Sequence, residues 1–394
     1  MTLRDIRAFQ DSLISMGISG NDLAIYVGHK PVYRYMTGFQ NMEKNIPTNR
    51  DTMYQMFSMT KPITCIAALQ LFEKGVFLLN DPVADYLPEF RDMKVRVGKD
   101  PNGICTPEME AVEVRDAVNR IEVQHLFTMS AGLDYELQAK PIQELEARTG
   151  GQFSTKEFIQ AVAESPLMYE PGTHWAYSLA HDVIGRLIEV WSGMSFGEYL
   201  RKNIFDPLGM ATASFHPAKE QRERYMIRCG FGEDGKTIVP GEQQNPYQIS
   251  PKMESGGAGL SMTVDDYAKF ACTLANRGVS ENGVRIIAGR TIDLMKENFL
   301  DPQQYRDIFA SSTLRQGYGY GLGVRTLYSR TESGSAGPVG EFGWGGAWGT
   351  YMLADTDNDL AIVYGEQGVD TKGDYIQRRI RNMTYAALEG EGII

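Results

Sequence analysis

Residues 63–72, ITCIAALQLF, give a helix with no polar side. Cys65, Ala68, Leu69 and Phe72 fall on one face at helical spacing, and Ile63, Ile66 and Ala67 fall on another. A helix that is apolar nearly all round belongs in an interior and needs other elements packed on every side. The run is far too short to cross a bilayer, so those elements must come from the chain itself. Its ends are marked. Pro62 is tolerable in a first turn, whose N–H groups have no intrahelical partner, and Glu73-Lys74-Gly75 reads as a glycine-capped end.

The flanking text supplies candidates for that surround. Leu3, Ile6, Phe9 and Leu13 sit at helical spacing, which predicts an amphipathic N-terminal helix over 2–16. NDLAIYVGHKPVYRYMTGFQ predicts two strands joined around His29-Lys30. From 81 to 249 the chain reads as helical segments and loops, among them TKEFIQAVAE and LAHDVIGRLIEVWSG, with an irregular polar excursion from Arg222 to Pro251. TVDDYAKFACTLANRG returns to a helix capped by Thr263, with Asp265 and Asp266 in its first turn. Strand signals resume at GYGLGVRTLYS, GGAWGTYMLAD and LAIVYGE, and YIQRRIRNMTYAAL closes the chain as a helix. Strands from both ends with helices between them predict a mixed α/β fold of the α+β type. Its mainly antiparallel sheet is flanked by helices, and an all-helical domain is inserted. The expected division is 1–80 with 250–394, and 81–249.

Composition narrows the function. The chain is 42% hydrophobic and 23% charged, with formal net charge −11 and no cluster of Lys and Arg. That argues against nucleic acid or an anionic membrane as partner, since both need a positive footprint. The N-terminus carries charge throughout and lacks an apolar core before a small-residue cleavage site, so a cytoplasmic location is expected. Cys65, Cys105, Cys229 and Cys272 have no C-x-x-C spacing and read as free, buried thiols of a reducing compartment. The five histidines show no H-E-x-x-H or other zinc spacing, so neither a metal nor another cofactor is expected.

The buried helix is preceded by Phe57-Ser58-Met59-Thr60-Lys61, the chain's single S-x-x-K. A serine at a buried helix start has a free backbone N–H, and the helix dipole favours an oxyanion developing there. Lys61, one turn on, projects from the same face and can serve as a base where burial lowers its pKa. Taken alone, the pair reads rather as a capping serine followed by a snorkelling lysine.

Other segments carry the reading further. FSMTKPIT resembles the S-x-x-K signature of the serine β-lactamase and penicillin-binding-protein family, especially its class C and esterase branches. LNDPVADYLPEF, IEVQHLFTMSAGL, EPGTHWAYSLAHDVIGRLIE, PLGM at 207–210, SGGAGLSMTVDDYAKF and EFGWGGAWGTYMLADTDNDL resemble further blocks of that family in order, over roughly residues 20–370. The resemblance implies a β-lactamase/transpeptidase-like fold with Ser58 as nucleophile and Lys61 as neighbouring base. It implies that Tyr177 relays a proton to the leaving group. Trp344-Gly345-Gly346 stands at the third motif, and Ala347 would give the second oxyanion N–H beside that of Ser58. The glycines would let substrate approach a strand edge closely.

Two departures bear on substrate. Leu179 stands where β-lactamases carry asparagine after the tyrosine, and Trp344 stands where they carry lysine or histidine. Both changes remove polar recognition of an amide or a carboxylate, and a tryptophan suits apolar groups. The pattern is similar to that of the family VIII carboxylesterases. It implies a serine hydrolase of short to medium acyl esters, with a small-molecule ester as its partner and its oligomeric state open. A β-lactamase, a D-amino-acid peptidase, an acyltransferase and a non-catalytic binding protein of the same fold are the alternatives.

Several look-alikes compete. Gly193-Met194-Ser195-Phe196-Gly197 matches the G-x-S-x-G nucleophile elbow, yet a helix precedes it where a strand is required, so Ser195 reads as a cap. GYGYGLG at 317–323 runs into a strand and fails as a dinucleotide fingerprint. His125 or His181 would be the candidate in a Ser-His-Asp triad, though each reads rather as structural. Tyr135, Trp175, Tyr318, Tyr320 and Trp348 either line an acyl pocket or belong to the core.

Overall fold

The computed structural model describes residues 1–98, 104–106 and 113–394. An eight-stranded antiparallel sheet takes its strands from distant stretches of the chain. The N-terminal stretch gives β1 (Gly20–Val27), β2 (Lys30–Asn41) and β3 (Ile46–Pro47). The C-terminal stretch gives β4 (Tyr318–Tyr320), β5 (Arg325–Leu327), β6 (Phe342–Gly345), β7 (Tyr351–Asp355) and β8 (Leu360–Gly365). The spatial order is β4-β5-β6-β7-β8-β1-β2-β3, so β1 and β8, far apart in sequence, are hydrogen-bonded neighbours. The β1–β2 turn lies at Gly28-His29, one residue earlier than the sequence suggests. Both residues have positive φ, as a two-residue hairpin requires.

Alternation along the strands divides the core in two. Leu23, Ile25, Tyr351, Leu353, Leu360 and Ile362 face one side, where α1 (Leu3–Ile14) and the C-terminal helix Gly373–Gly390 cover them with Ile6, Leu13, Ile376 and Ile380. Ala24, Met352, Ala354, Ala361 and Val363 face the other side, towards the helix Val264–Ala275 and the larger core. Small residues recur at these positions because a helix lies directly on them.

The apolar helix forms α2 (Thr60–Glu73), with Ile63, Cys65, Ile66, Ala67, Ala68 and Leu69 all at 0% exposure. Each fully buried Leu or Ile of this kind stabilises the fold by about 1.5–3 kcal/mol. One side of α2 packs against the helix Ala180–Ser192. Gly75 follows with φ +69°, and its N–H reaches Phe72 O, as a glycine cap requires.

Among the described residues, the segment between the sheet halves adds two short antiparallel strand pairs to its helices: Lys94–Val97 with Glu113–Asp116, and Cys229–Phe231 with Ile238–Pro240. It is therefore not all-helical. Both pairs are only three or four residues long, too short for alternation to stand out in the sequence. Among the described residues no helix is long and apolar enough to cross a membrane.

Candidate active site

Ser58 sits in a single 3₁₀ turn, Phe57–Met59, that leads into α2. Phe57 holds φ +48°, an uncommon conformation for a bulky residue, and packs at 4.4 Å between ring centroids against Trp348. The strand before the turn, Met53–Gln55, pairs with Ser261–Thr263. The loop leading to that second strand is fastened to the first turn of α2: Thr64 Oγ1 donates to Gly256 O at 2.7 Å, and Leu260 N donates to Thr60 Oγ1 at 3.1 Å. The nucleophile candidate is thus fixed from both sides of its turn.

Lys61 is fully buried, and its three donors have three acceptors: Gly257 O at 2.8 Å, Ser58 Oγ at 3.3 Å and Tyr135 Oη at 3.4 Å. The Tyr177 hydroxyl donates to Ser58 Oγ at 2.6 Å, and Trp344 Nε1 donates to Tyr177 Oη at 3.3 Å. Tyr177 lies between two rings, stacked on Tyr135 at 5.4 Å and on Trp344 at 5.7 Å. Its backbone is held on either side, by Ala176 N to Met129 O and by Leu179 N to Asp134 O. The structure therefore brings together Ser58, Lys61, Tyr177 and Trp344, drawn from segments far apart in the chain.

A cleft of about 310 Å³ opens over this cluster, lined by Ser58, Tyr177, Trp344, Gly345, Gly346 and Ala347. The rest of the lining comes from residues the sequence did not single out for the site: Tyr247, Leu314, Arg315 and Gln377 among them. Ala347 is exposed at the edge beyond β6. Gly346 is needed for a reason other than substrate approach. A Cβ there would lie 2.4 Å from Met56 O and 2.1 Å from Thr350 Oγ1, so the glycine lets this edge close onto the Ser58 turn.

Leu179 is a correction. It is 3% exposed and lines a separate small cavity with Leu133, Ile142 and Val162, away from the cleft. It occupies the N-cap of the helix Ala180–Ser192, where the backbone turns its side chain into the core. The five aromatics that might have lined an acyl pocket do not line the cleft either. Tyr135, Trp175 and Tyr320 form a packed layer behind Tyr177 and Trp344. Trp348 lies under Arg228, and Tyr318 belongs to a buried cluster with Glu341 and Arg381. Ser195 caps the helix Phe196–Leu200 by accepting from Glu198 N, and it does not line the cleft.

Two residues beneath the cluster also went unread. Asp182 is 1% exposed and accepts from Ser255 Oγ at 2.6 Å and from Gly257 N at 3.2 Å, which sets the loop carrying the carbonyl that Lys61 contacts. Burial raises its carboxyl pKa, and the Lys61 charge works in the opposite direction. A Cβ on Gly257 would sit 2.5 Å from Asp182 Oδ2 and 3.4 Å from Lys61 Nζ, so no larger residue fits between them. Burial also drives the Tyr135 hydroxyl well above its usual range, with Tyr177 and Asp182 adding to the effect, so Tyr135 stays a neutral phenol.

Neither histidine candidate reaches Ser58. His125 Nδ1 accepts from Glu122 N at a helix start, and His181 Nε2 lies 3.2 Å from Phe127 O. Burial, reinforced by the Lys61 charge and opposed by the Phe127 carbonyl, lowers the His181 pKa to about 3. Between that value and the ordinary 6.5, the unfolded chain takes up a proton that the native state refuses. Stability should therefore fall as pH drops below 6.5, by up to about 1.4 kcal/mol per pH unit from this one group. His181→Gln keeps a donor for Phe127 O and removes the titration. Urea unfolding at pH 7 and pH 4.5 should show a smaller acid loss in the variant, and parallel losses would contradict the assignment.

Comparison with known proteins places the chain in a family. The profile of the Beta-lactamase family matches residues 6–383. The chain is 26% identical over 363 residues to esterase EstB of Burkholderia gladioli, covering 86% of this chain and 84% of that one. It is 27% identical over 363 residues to a lovastatin esterase of Penicillium rubens, covering 86% of each. Among solved structures, EstCE1, described as a hydrolase with promiscuous acyltransferase activity, superposes with a TM-score of 0.76 at 21% identity, covering 97% of this chain and 98% of that one. The chain belongs to the Beta-lactamase family.

Proposed function

We propose that this member of the Beta-lactamase family is a carboxylesterase acting on short- to medium-chain acyl esters through an acyl-enzyme on Ser58. The observation that carries the reading is the convergence of Lys61 and Tyr177 on one oxygen, Ser58 Oγ, at the floor of an open cleft. Ser58 Oγ attacks the ester carbonyl when the Lys61–Tyr177 pair holds one proton fewer than the ammonium and phenol that both donate to Oγ, and the pair then takes up the Ser58 proton. The N–H groups of Ser58 and Ala347 hold the oxyanion. When the C–O bond breaks, Tyr177 returns the proton to the leaving alcohol, and water then cleaves the acyl-enzyme by the same steps in reverse. The two esterase relatives support ester over amide as the substrate. So does Trp344, which puts an indole where a lysine would otherwise stand. Leu179 no longer contributes to that argument. The four cysteines, all free and buried, support a reducing, cytoplasmic setting.

An acyltransferase is the second reading, supported by EstCE1, and it differs only in the acceptor that takes the acyl group. The test is a parallel assay of p-nitrophenyl butyrate and a chromogenic cephalosporin, with and without a primary alcohol as competing acceptor. Ester turnover with little cephalosporin cleavage is expected. Rapid cephalosporin cleavage would overturn the esterase reading, and diversion of most acyl groups to the alcohol would replace it with acyl transfer.

A further inference from the structure

We propose that the cleft selects esters that carry a carboxylate in addition to the ester group, and that Arg315 binds it. The proposal rests on the Ser58 cleft being the ester-cleaving site. Arg315 ends the 3₁₀ turn Thr313–Arg315 and lines the same cleft as Ser58. Its guanidinium lies over three rings, at 5.1 Å from the centroid of Trp175, 5.4 Å from Tyr177 and 5.5 Å from Trp344. Its Nη1 donates to the neutral Ser311 hydroxyl at 2.8 Å. Among the described residues no carboxylate pairs with it, and Nε and Nη2 make no hydrogen bond.

The contrast with its neighbour is informative. Arg325 also borders the cleft, but it lies over Tyr318 and Tyr351, and the charge of buried Glu341 faces it. Arg381 stands 3.9 Å from the same Glu341, and Asp355 is close enough to act on that carboxyl. That group balances its own charge, two cations against two carboxylates. Arg315 is the surplus, in a chain of net charge −11. Burial lowers its pKa and the Arg325 charge adds to that; the groups that raise it are the phenols Tyr177 and Tyr320, not a carboxylate. Cation–π contact offsets part of the cost of burying a charge. It leaves the N–H edge unused. A planar carboxylate fits the free Nε–Nη2 edge as a bidentate partner. Ser312, Thr371 and Gln377 line the same cleft and offer further donors. A cation read as missing at position 344 thus enters the site from a different element.

Two matched ester pairs test this and locate the acid. p-Nitrophenyl butyrate against mono-p-nitrophenyl glutarate places the carboxylate on the acyl side. Phenyl butyrate against 4-(butyryloxy)benzoate places it on the alcohol side. The readout is the ratio of kcat/KM for acid ester over neutral ester, so any general loss from disturbing the Tyr177 stack cancels. Arg315→Gln should lower that ratio about 10- to 100-fold for one pair, the range of a hydrogen bond to a charged group, and Arg315→Lys should restore part of it. An unchanged ratio in both pairs would overturn the proposal while leaving the esterase reading intact. A binding arm does not depend on turnover. Benzoate and benzyl alcohol are titrated into Ser58→Ala protein and followed by tryptophan fluorescence. Benzoate should bind more tightly, and adding Arg315→Gln should abolish the preference. If no ester is turned over, the esterase reading falls, and this arm still decides whether Arg315 binds a carboxylate.

Discussion

Ser58→Ala is expected to lower p-nitrophenyl butyrate turnover by about 10³-fold or more, the scale of loss when a covalent nucleophile is removed from a cooperating set. The variant should fold normally. Ser58 is only partly buried and its Oγ caps no helix N–H; the bonds lost are the two it accepts from Lys61 and Tyr177. Ser195→Ala is the control. It loses the N-cap bond to Glu198 N, worth about 1 kcal/mol of stability, and should keep its turnover, because Ser195 lies at a helix start outside the cleft. A fluorophosphonate should label the wild type and the Ser195 variant stoichiometrically and leave the Ser58 variant unlabelled. Turnover surviving in Ser58→Ala would move the nucleophile elsewhere and sink the mechanism. Failure of the wild type to label at all would favour a binding protein that has kept the fold.

What could be read in advance follows from how far each signal travels along the chain. The burial of α2 was legible because every residue needed to judge it lies within fourteen positions. Ser58 and Lys61 share a face by helical geometry alone. The strands β1, β2, β7 and β8 were legible because each is a run of five or more residues rich in apolar and aromatic side chains and bounded by turn residues. Tyr177 and Trp344 came only through resemblance to a family, since no local pattern tells a tyrosine where a distant serine will lie. Leu179 was misread for a related reason. Its position after the tyrosine suggested the cleft, but its side-chain direction is set by how the helix Ala180–Ser192 begins. Arg315 and Tyr247 gave no signal. Each lies in irregular chain and acquires its neighbours only when the sheet, α2 and the intervening segments close on one another.

Removing the two groups that act on Ser58 should show that they work as one device. Tyr177→Phe removes the hydroxyl 2.6 Å from Ser58 Oγ and leaves the ring stack intact, so kcat should fall about 10²- to 10⁴-fold, the usual contribution of a positioned acid or base. Lys61→Met keeps most of the buried volume and should cost a similar factor. It also leaves Gly257 O without its side-chain donor, a loss of about 1–3 kcal/mol that urea unfolding will register and Tyr177→Phe will not. The double variant distinguishes two arrangements. Were the lysine and the tyrosine acting on separate steps, their losses would multiply. Both instead meet the same oxygen, and Lys61 Nζ lies 4.6 Å from the centre of the Tyr177 ring, so each depends on the other to accept the Ser58 proton. The expected double loss is close to the larger single loss and far short of the product. Measured kcat values for the two single variants and the double, each confirmed folded, decide the matter. A multiplicative loss would separate the two roles and leave Tyr177 as an acid for the leaving group alone.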